Sequence, residues 1–264
     1  MSLKRIAVLF LALFGFCFAA CKQVVEQVVE VEKIVEKIVV NEKVVEVKFS
    51  DGHEAGDVLW NDGTWSAKAE VASLTALPDG KKPIGVLAFE KGGVPYCVGL
   101  AIGTSKSWAA RGSTGYTANI TALQGNVFGE GETDGSKSLA ALKDKCSDYS
   151  ETNYPAWYWA ENFDSNSVQY KSASLKGKWY IPSVYELGKV YISRNAINES
   201  LTKLHSLDSS SCTVNSLGTS WCWSRSQHVF EGNCAWNIDF DSGDMGFSYK
   251  HVYDSVLVVQ AFTY

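Results

Sequence analysis

From residue 234 to residue 241 the side chains alternate: Trp236, Ile238 and Phe240 are apolar, while Asn237, Asp239 and Asp241 are polar. A period of two puts each set on one face of an extended chain, so the segment reads as a strand with a single buried face. A turn follows at Asp241-Ser-Gly-Asp244, and the run Val256-Leu-Val-Val-Gln-Ala-Phe262 reads as a further buried strand. Between them, residues 228–233 and 246–255 follow no period and mix aromatic, small and charged side chains. The stretch 219–262 is therefore an apolar frame with irregular side chains set into it.

The rest of the chain supplies the elements of an α+β domain over residues 51–264. Asn61-Asp-Gly63 between apolar residues is a hairpin signal. Residues 83–89 and 96–102 read as paired buried strands, and the link 90–95 has hairpin chemistry. Residues 105–134 are rich in Gly, Ser, Thr and Asn and read as long surface loops. Leu139, Leu142 and Cys146 have helical spacing. Tyr154-Pro-Ala-Trp-Tyr-Trp159 is expected to pack in the core, with a carbohydrate-stacking platform as the alternative. Ile181-Pro-Ser183 should end a strand, and Ser183 with Glu186 forms a capping box for a helix that turns Val184, Leu187, Val190 and Tyr191 inward. Ile197, Leu201 and Leu204 mark a second helix.

The N-terminal residues read as targeting. Lys4 and Arg5 precede an apolar run from residue 6 to 18 that has signal-peptide length. Phe18-Ala-Ala-Cys21 resembles a bacterial lipoprotein processing box, with Phe18 in place of the usual Leu. Residues 1–20 are thus expected to be removed and Cys21 to be acylated, anchoring the chain at the outer membrane or cell surface. Ordinary cleavage after Ala19 or Ala20 is the alternative. Multiple acyl chains give stable anchoring. In residues 21–50, Val24, Val28, Val31, Val35, Ile38 and Val45 step by fours and threes, broken at Glu42. That is a coiled-coil-like pattern, expected to form a helical tether or a stalk that oligomerises through residues 23–48. Its Val content lowers helix propensity and keeps an extended tether open.

Composition and motifs exclude several chemistries. With 24 basic and 29 acidic side chains, the net charge of −5 provides no general basic face for nucleic acid. Once Cys17 and Cys21 are set aside, Cys97, Cys146, Cys212, Cys222 and Cys234 remain; they lack zinc spacing and are expected to be mostly buried thiols. The four His, at positions 53, 205, 228 and 251, make no metal motif, and neither a nucleophile elbow nor a P-loop is present. No cofactor, metal or catalytic residue is expected. Trp60-Asn-Asp62 spells the calcium tripeptide of sugar-binding lectins, but the companion Pro-containing triplet is missing and the hairpin accounts for it.

Two groups of residues carry a resemblance. The spacing of Trp223-Ser-Arg-Ser-Gln227, Ala235-Trp236, Phe240-Asp-Ser-Gly243, Lys250 and the Val256 to Phe262 ending is similar to the variable region of diversity-generating retroelement proteins. Trp179-Tyr-Ile-Pro-Ser-Val-Tyr-Glu-Leu187 resembles a second signature of that group. The resemblance implies a C-type lectin-like fold of the formylglycine-generating-enzyme subtype. It also implies a ligand-binding site diversified by adenine-directed mutagenesis. His228, Val229, Phe230, Gly232, Asn233, Asn237, Asp239, Phe247, Ser248, Tyr249, His251, Tyr253, Asp254 and Ser255 are all reachable from an Asn codon by adenine changes. They are the expected ligand-binding positions; Trp221, Trp223, Trp236 and Lys250 are expected frame, and Glu231 falls outside the Asn set. Aromatic side chains among small neighbours suit adaptable recognition, and the acidic excess over residues 224–255 suits a basic patch on a protein ligand. An invariant adhesion lipoprotein and a formylglycine-generating oxidase are the rival readings. The second lacks the close cysteine pair, since Cys222 and Cys234 lie twelve residues apart.

Overall fold

A computed structural model describes residues 49, 52–125, 137–164 and 168–262. The expected signal peptide, Cys21 and the heptad-like residues 23–48 lie outside the described residues.

The strands assemble into two five-stranded sheets. Strands β1 (Val58–Trp60), β2 (Trp65–Ser66), β3 (Pro83–Lys91), β4 (Val94–Val98) and β10 (Val259–Ala261) form the first, in the order β10-β4-β3-β1-β2. All its pairings are antiparallel. Strands β5 (Gly103–Ser107), β6 (Trp221–Gln227), β7 (Cys234–Asp239), β8 (Met245–Tyr249) and β9 (Tyr253–Val256) form the second, in the order β5-β9-β6-β7-β8. There β6 and β9 run parallel and the other pairs are antiparallel. The helices are α1 (Lys68–Ser73), α2 (Thr114–Thr117), α3 (Ser138–Lys145), α4 (Pro155–Glu161), α5 (Val184–Ile192) and α6 (Arg194–Leu207).

Local chemistry explains most of these elements. Gly63 adopts φ 88°, the left-handed conformation that the β1–β2 turn needs, and Asp62 Oδ1 accepts the Thr64 N–H at 2.9 Å. The α5 capping box forms as expected: Glu186 N donates to Ser183 Oγ at 3.1 Å and Ser183 N to Glu186 Oε2 at 2.9 Å. Val184, Leu187 and Val190 on α5, with Ile197, Leu201 and Leu204 on α6, are buried in one apolar cluster with Val58, Trp60, Val86, Ile238 and Phe240. A second cluster gathers Trp108, Trp157, Trp179, Phe163 and Trp223 around Ile84 and Phe262. Tyr154 and Trp157 are buried there, so the 154–159 aromatic run packs in the core. Cys97, Cys146, Cys212, Cys222 and Cys234 are buried free thiols.

Three expectations change. The expected single strand over residues 256–262 is two strands, because the chain leaves the second sheet at Val256 and enters the first at Val259. Leu257 and Val258 bridge the two sheets and are as buried as the strands they join. The strand expected before Ser183 is only a single bridge, Tyr180 to Val259. Residues 105–125 are less of a surface loop than their composition suggests, since Trp108, Ala109 and Leu123 are wholly buried. Among the described residues no helix is long and apolar enough to cross a membrane.

Candidate functional site

The β7–β8 hairpin is the edge of the second sheet, and its turn is built by one carboxylate. Asp239 Oδ1 accepts the Asp241 N–H at 3.0 Å, Ser242 Oγ donates to Asp239 Oδ2 at 3.1 Å, and Gly243 N donates to Asp239 O at 2.8 Å. Gly243 takes φ 81° in this turn, and a Cβ there would lie 2.6 Å from the Tyr191 ring. Asp239 was expected to face a ligand; its carboxylate is instead engaged in the turn.

At the other end of β7, residues 228–233 form a short loop. His228 N donates to Cys234 O at 3.0 Å, Cys234 N to Glu231 O at 2.9 Å, and Glu231 N to His228 Nδ1 at 3.2 Å. These bonds push Phe230 out of the loop, where it is 90 % exposed, with Val229 and Glu231 also exposed. The His228 ring lies 4.3 Å from that of Phe247 and 5.4 Å from that of Trp236, so three rings join the loop to the hairpin. Phe247, Tyr249 and Met245 project from β8 at 48, 51 and 45 % exposure, and Tyr253 on β9 reaches 73 %. The result is an exposed aromatic surface that runs from the 228–233 loop along β8, the sheet edge, while Tyr253 stands apart from it on the inner strand β9.

Behind this surface lies a buried cation. Lys250 is fully buried; its Nζ donates to Gly115 O at 2.8 Å and to Gln227 Oε1 at 3.1 Å, and lies 4.4 Å from the centroid of the Trp108 ring. Burial pulls its ammonium down to about 7, and the nearby Cys146 and Cys234 sulfurs offset only part of that shift. Gln227 Oε1 also accepts the Ile120 N–H at 3.3 Å, so Lys250 and Gln227 clamp residues 115–120 to the sheet. The clamped segment then contacts the loop: a Cβ on Gly232 would meet Thr117 O at 2.8 Å, and Gln124 Nε2 donates to Val229 O at 3.4 Å. His251 joins the same wall. Arg111 can only donate, so His251 Nε2 accepts from it at 3.0 Å, and Nδ1–H is then left to donate to Tyr116 Oη at 3.1 Å.

The expected positions therefore separate. Val229, Phe230, Phe247, Tyr249 and Tyr253 are exposed, while His228, Asn233, Ser248, His251 and Ser255 are half-buried beside them. Asn237 is 1 % exposed, a correction to its expected outward position. Its Nδ2 donates to Ser248 Oγ at 3.0 Å and to Asp254 Oδ2 at 2.9 Å, which ties Asp254 into the sheet as well. Burial pushes the Asp254 carboxyl up, and the Asn237 bond offsets part of that shift. Gly232 is held by its close approach to Thr117, so it is not an open position. Among the expected frame residues, Trp223 is fully buried and its Nε1 donates to Lys106 O at 2.9 Å. Trp236 is only half-buried and belongs to the aromatic surface, and Trp221 is 37 % exposed. Sequence reasoning missed Met245, whose place opposite Ile238 follows from the register of β7 and β8, and Arg111, Tyr116 and Gln124, whose contribution depends on contacts across more than a hundred residues.

Burial raises the Cys222 and Cys234 thiols to about 12 and about 11, which is the wrong direction for nucleophiles. They also occupy different rungs, with Cys222 opposite Ile238 and Cys234 opposite Tyr249. Among the described residues no group of His, Cys, Asp or Glu is arranged to hold a metal.

Comparison with known proteins gives a fold neighbour and no family. Neither a family model nor a curated protein matches the chain. A fimbrial protein from Bacteroides ovatus, known from its crystal structure, superposes with a TM-score of 0.53 at 13 % identity. The match covers 79 % of this chain and 48 % of that one, so the chain spans about half the length of its neighbour. At that identity the likeness is one of fold alone.

Proposed function

We propose that this protein binds a macromolecular ligand, a protein, through the aromatic surface of its second sheet, and that the surface is diversified by retroelement mutagenesis. One observation carries the reading. Among the described residues, the three most exposed large apolar side chains (Phe230, Tyr253 and Tyr249) fall within residues 228–255, as do Phe247 and Met245, while Ile192 on α5 is the one of similar exposure outside it. This is the stretch where adenine changes in Asn codons reach every expected site residue. Large rings left in water are costly unless a partner covers them, and contiguous apolar patches mark interaction sites. Over residues 224–255 the two Lys and Arg side chains, Arg225 and Lys250, are buried, while Glu231, Asp241 and Asp244 are exposed, so the surface charge of that stretch is acidic and favours a basic partner.

On this reading the scaffold is a C-type lectin-like fold of the formylglycine-generating-enzyme subtype. Display at the outer membrane or cell surface follows from acylation of Cys21, with residues 23–48 as tether or oligomerising stalk. The fimbrial fold neighbour is in keeping with surface display. The rigid elements at Trp223, Ile238 and Phe240 bear the load of folding, and the exposed positions are free to vary.

The flanking DNA tests the proposal. A near-repeat of the coding stretch for residues 219–262 should lie beside a reverse-transcriptase gene. Its differences should fall on template adenines and concentrate at Val229, Phe230, Phe247, Tyr249 and Tyr253. With no repeat, or with differences spread over all four bases and into the Trp223 codon, the protein is an invariant surface lipoprotein and the diversified-binder reading fails.

A further inference from the structure

The backbone of β8 points to how the ligand is held. Asp239 N donates to Asp244 O and Lys250 N to Asn233 O, each at 2.9 Å, which sets the hydrogen-bonded rungs of the β7–β8 ladder. Antiparallel strands alternate hydrogen-bonded and non-bonded rungs. Gly246 and Ser248 therefore turn their N–H and C=O groups toward β7, while Met245, Phe247 and Tyr249 turn theirs away from it. The Tyr249 carbonyl accepts the Val252 N–H at 3.0 Å. Both backbone groups of Met245 and Phe247, and the Tyr249 N–H, face outward, and among the described residues no strand pairs with that side.

Natural edge strands are usually blunted by a bulge, a proline or an inward charge. β8 has none of these: its register with β7 is unbroken over all five pairs, and its sequence is Met-Gly-Phe-Ser-Tyr. The residues whose backbone groups point outward are also the ones with exposed side chains. An extended segment laid along this edge would find donors and acceptors repeating every two residues, about 6.8 Å apart, beside three apolar side chains at the same period. Beyond the Met245 end lie the exposed Asp241 and Asp244; beyond the Tyr249 end lie His251 and Arg111.

Resting on the binding reading above, we infer that the ligand is a protein whose extended segment adds to the second sheet as a strand along β8. That segment carries Lys or Arg where it meets Asp241 and Asp244, and apolar residues opposite Met245, Phe247 and Tyr249. Main-chain bonds supply an affinity that does not depend on ligand sequence, and the side chains around them supply the choice of partner. A site whose side chains are rewritten then keeps a fixed means of grip.

The probe is a set of short linear peptides selected by phage display against the full chain, then synthesised with a fluorophore and titrated by fluorescence polarisation. The peptides should be enriched in Lys and Arg toward one end. Methylating their backbone amides one at a time should weaken binding about tenfold at every second position and little between. Phe247→Pro removes an outward N–H without touching the β7 ladder and should abolish binding, whereas Phe247→Ala should only weaken it. The methylation scan acts on the peptide, so it stands even if the proline variant fails to fold. Loss without a two-residue period, peptides with no basic enrichment, or no selected peptide at all overturns strand addition. A full chain that dimerises in solution and loses the dimer with Phe247→Pro also overturns it, since the occupant is then a second copy. Period-free loss together with weaker binding in Phe230→Ala and Tyr249→Ala would leave the aromatic-surface reading intact. Binding unchanged in both alanine variants would remove that reading instead.

Discussion

Lys250 sits over the face of Trp108, its Nζ 4.4 Å from the ring centroid, with no carboxylate among its hydrogen-bond acceptors. The ammonium is held by carbonyl oxygens and a π face alone, at a place where burial favours the neutral amine.

Stability should therefore rise with pH just above neutrality. The ammonium is lowered from 10.5 to about 7 on folding, so between those values the unfolded chain binds more protons than the folded one. That sign makes unfolding less favourable as pH rises through the folded value. The Cys146 and Cys234 thiols, which burial raises, act oppositely once unfolded thiols ionise near 9. Melting temperature should climb from about pH 6.5 to about pH 8.5 and then flatten. Lys250→Met should melt lower overall and lack the climb; an equal climb in the variant would place its origin elsewhere.

Exposure separates frame from site. Trp223→Ala empties a fully buried position and should cost about 3–5 kcal/mol. Phe230→Ala and Tyr253→Ala remove rings that are mostly in water and should each cost less than about 0.5 kcal/mol. Trp236→Ala, half-buried, should fall between. Urea titrations of the four variants decide it, and a Phe230 loss as large as that of Trp223 would mean the ring is covered in solution.

Asn237 behaves as a core residue in this fold. Asn237→Ala leaves Asp254 partly buried without its amide donor and should cost about 1–3 kcal/mol. Ser248→Ala removes only the other end of the network and should cost less. Comparable, negligible shifts in melting temperature for both would return Asn237 to the variable set.

Metabolic labelling with a fatty acid should mark the wild-type chain and not Cys21→Ser. Label retained by the variant would remove the lipid anchor from the proposal.

The local chemistry was readable in the sequence. The Asn61-Asp-Gly63 turn, the Ser183–Glu186 capping box and the inward faces of α5 and α6 rest on spacings within a few residues, and all formed. Asn237 was misplaced because alternation implies one solvated face, whereas β7 is covered on both: Ile238 packs in one cluster and Ala235 in the other. The break within residues 256–262 was invisible because a run buried in two sheets and a run buried in one look the same. The clamp of Lys250 on Gly115 joins residues 135 apart in the chain, and no period marks it.

The passage of the chain from β9 to β10 also has a consequence in time. Strand β4 finds its outer neighbour only in residues 259–261, and β6 finds β9 only in residues 253–256. During synthesis both sheets must wait for the same late segment, so the upstream strands emerge from the ribosome with open flanks. Such late, long-range closure slows folding. Ribosome-bound chains halted before residue 253 should be cut rapidly by protease, and halted chains that already resist it would show that the sheets close without their last strands.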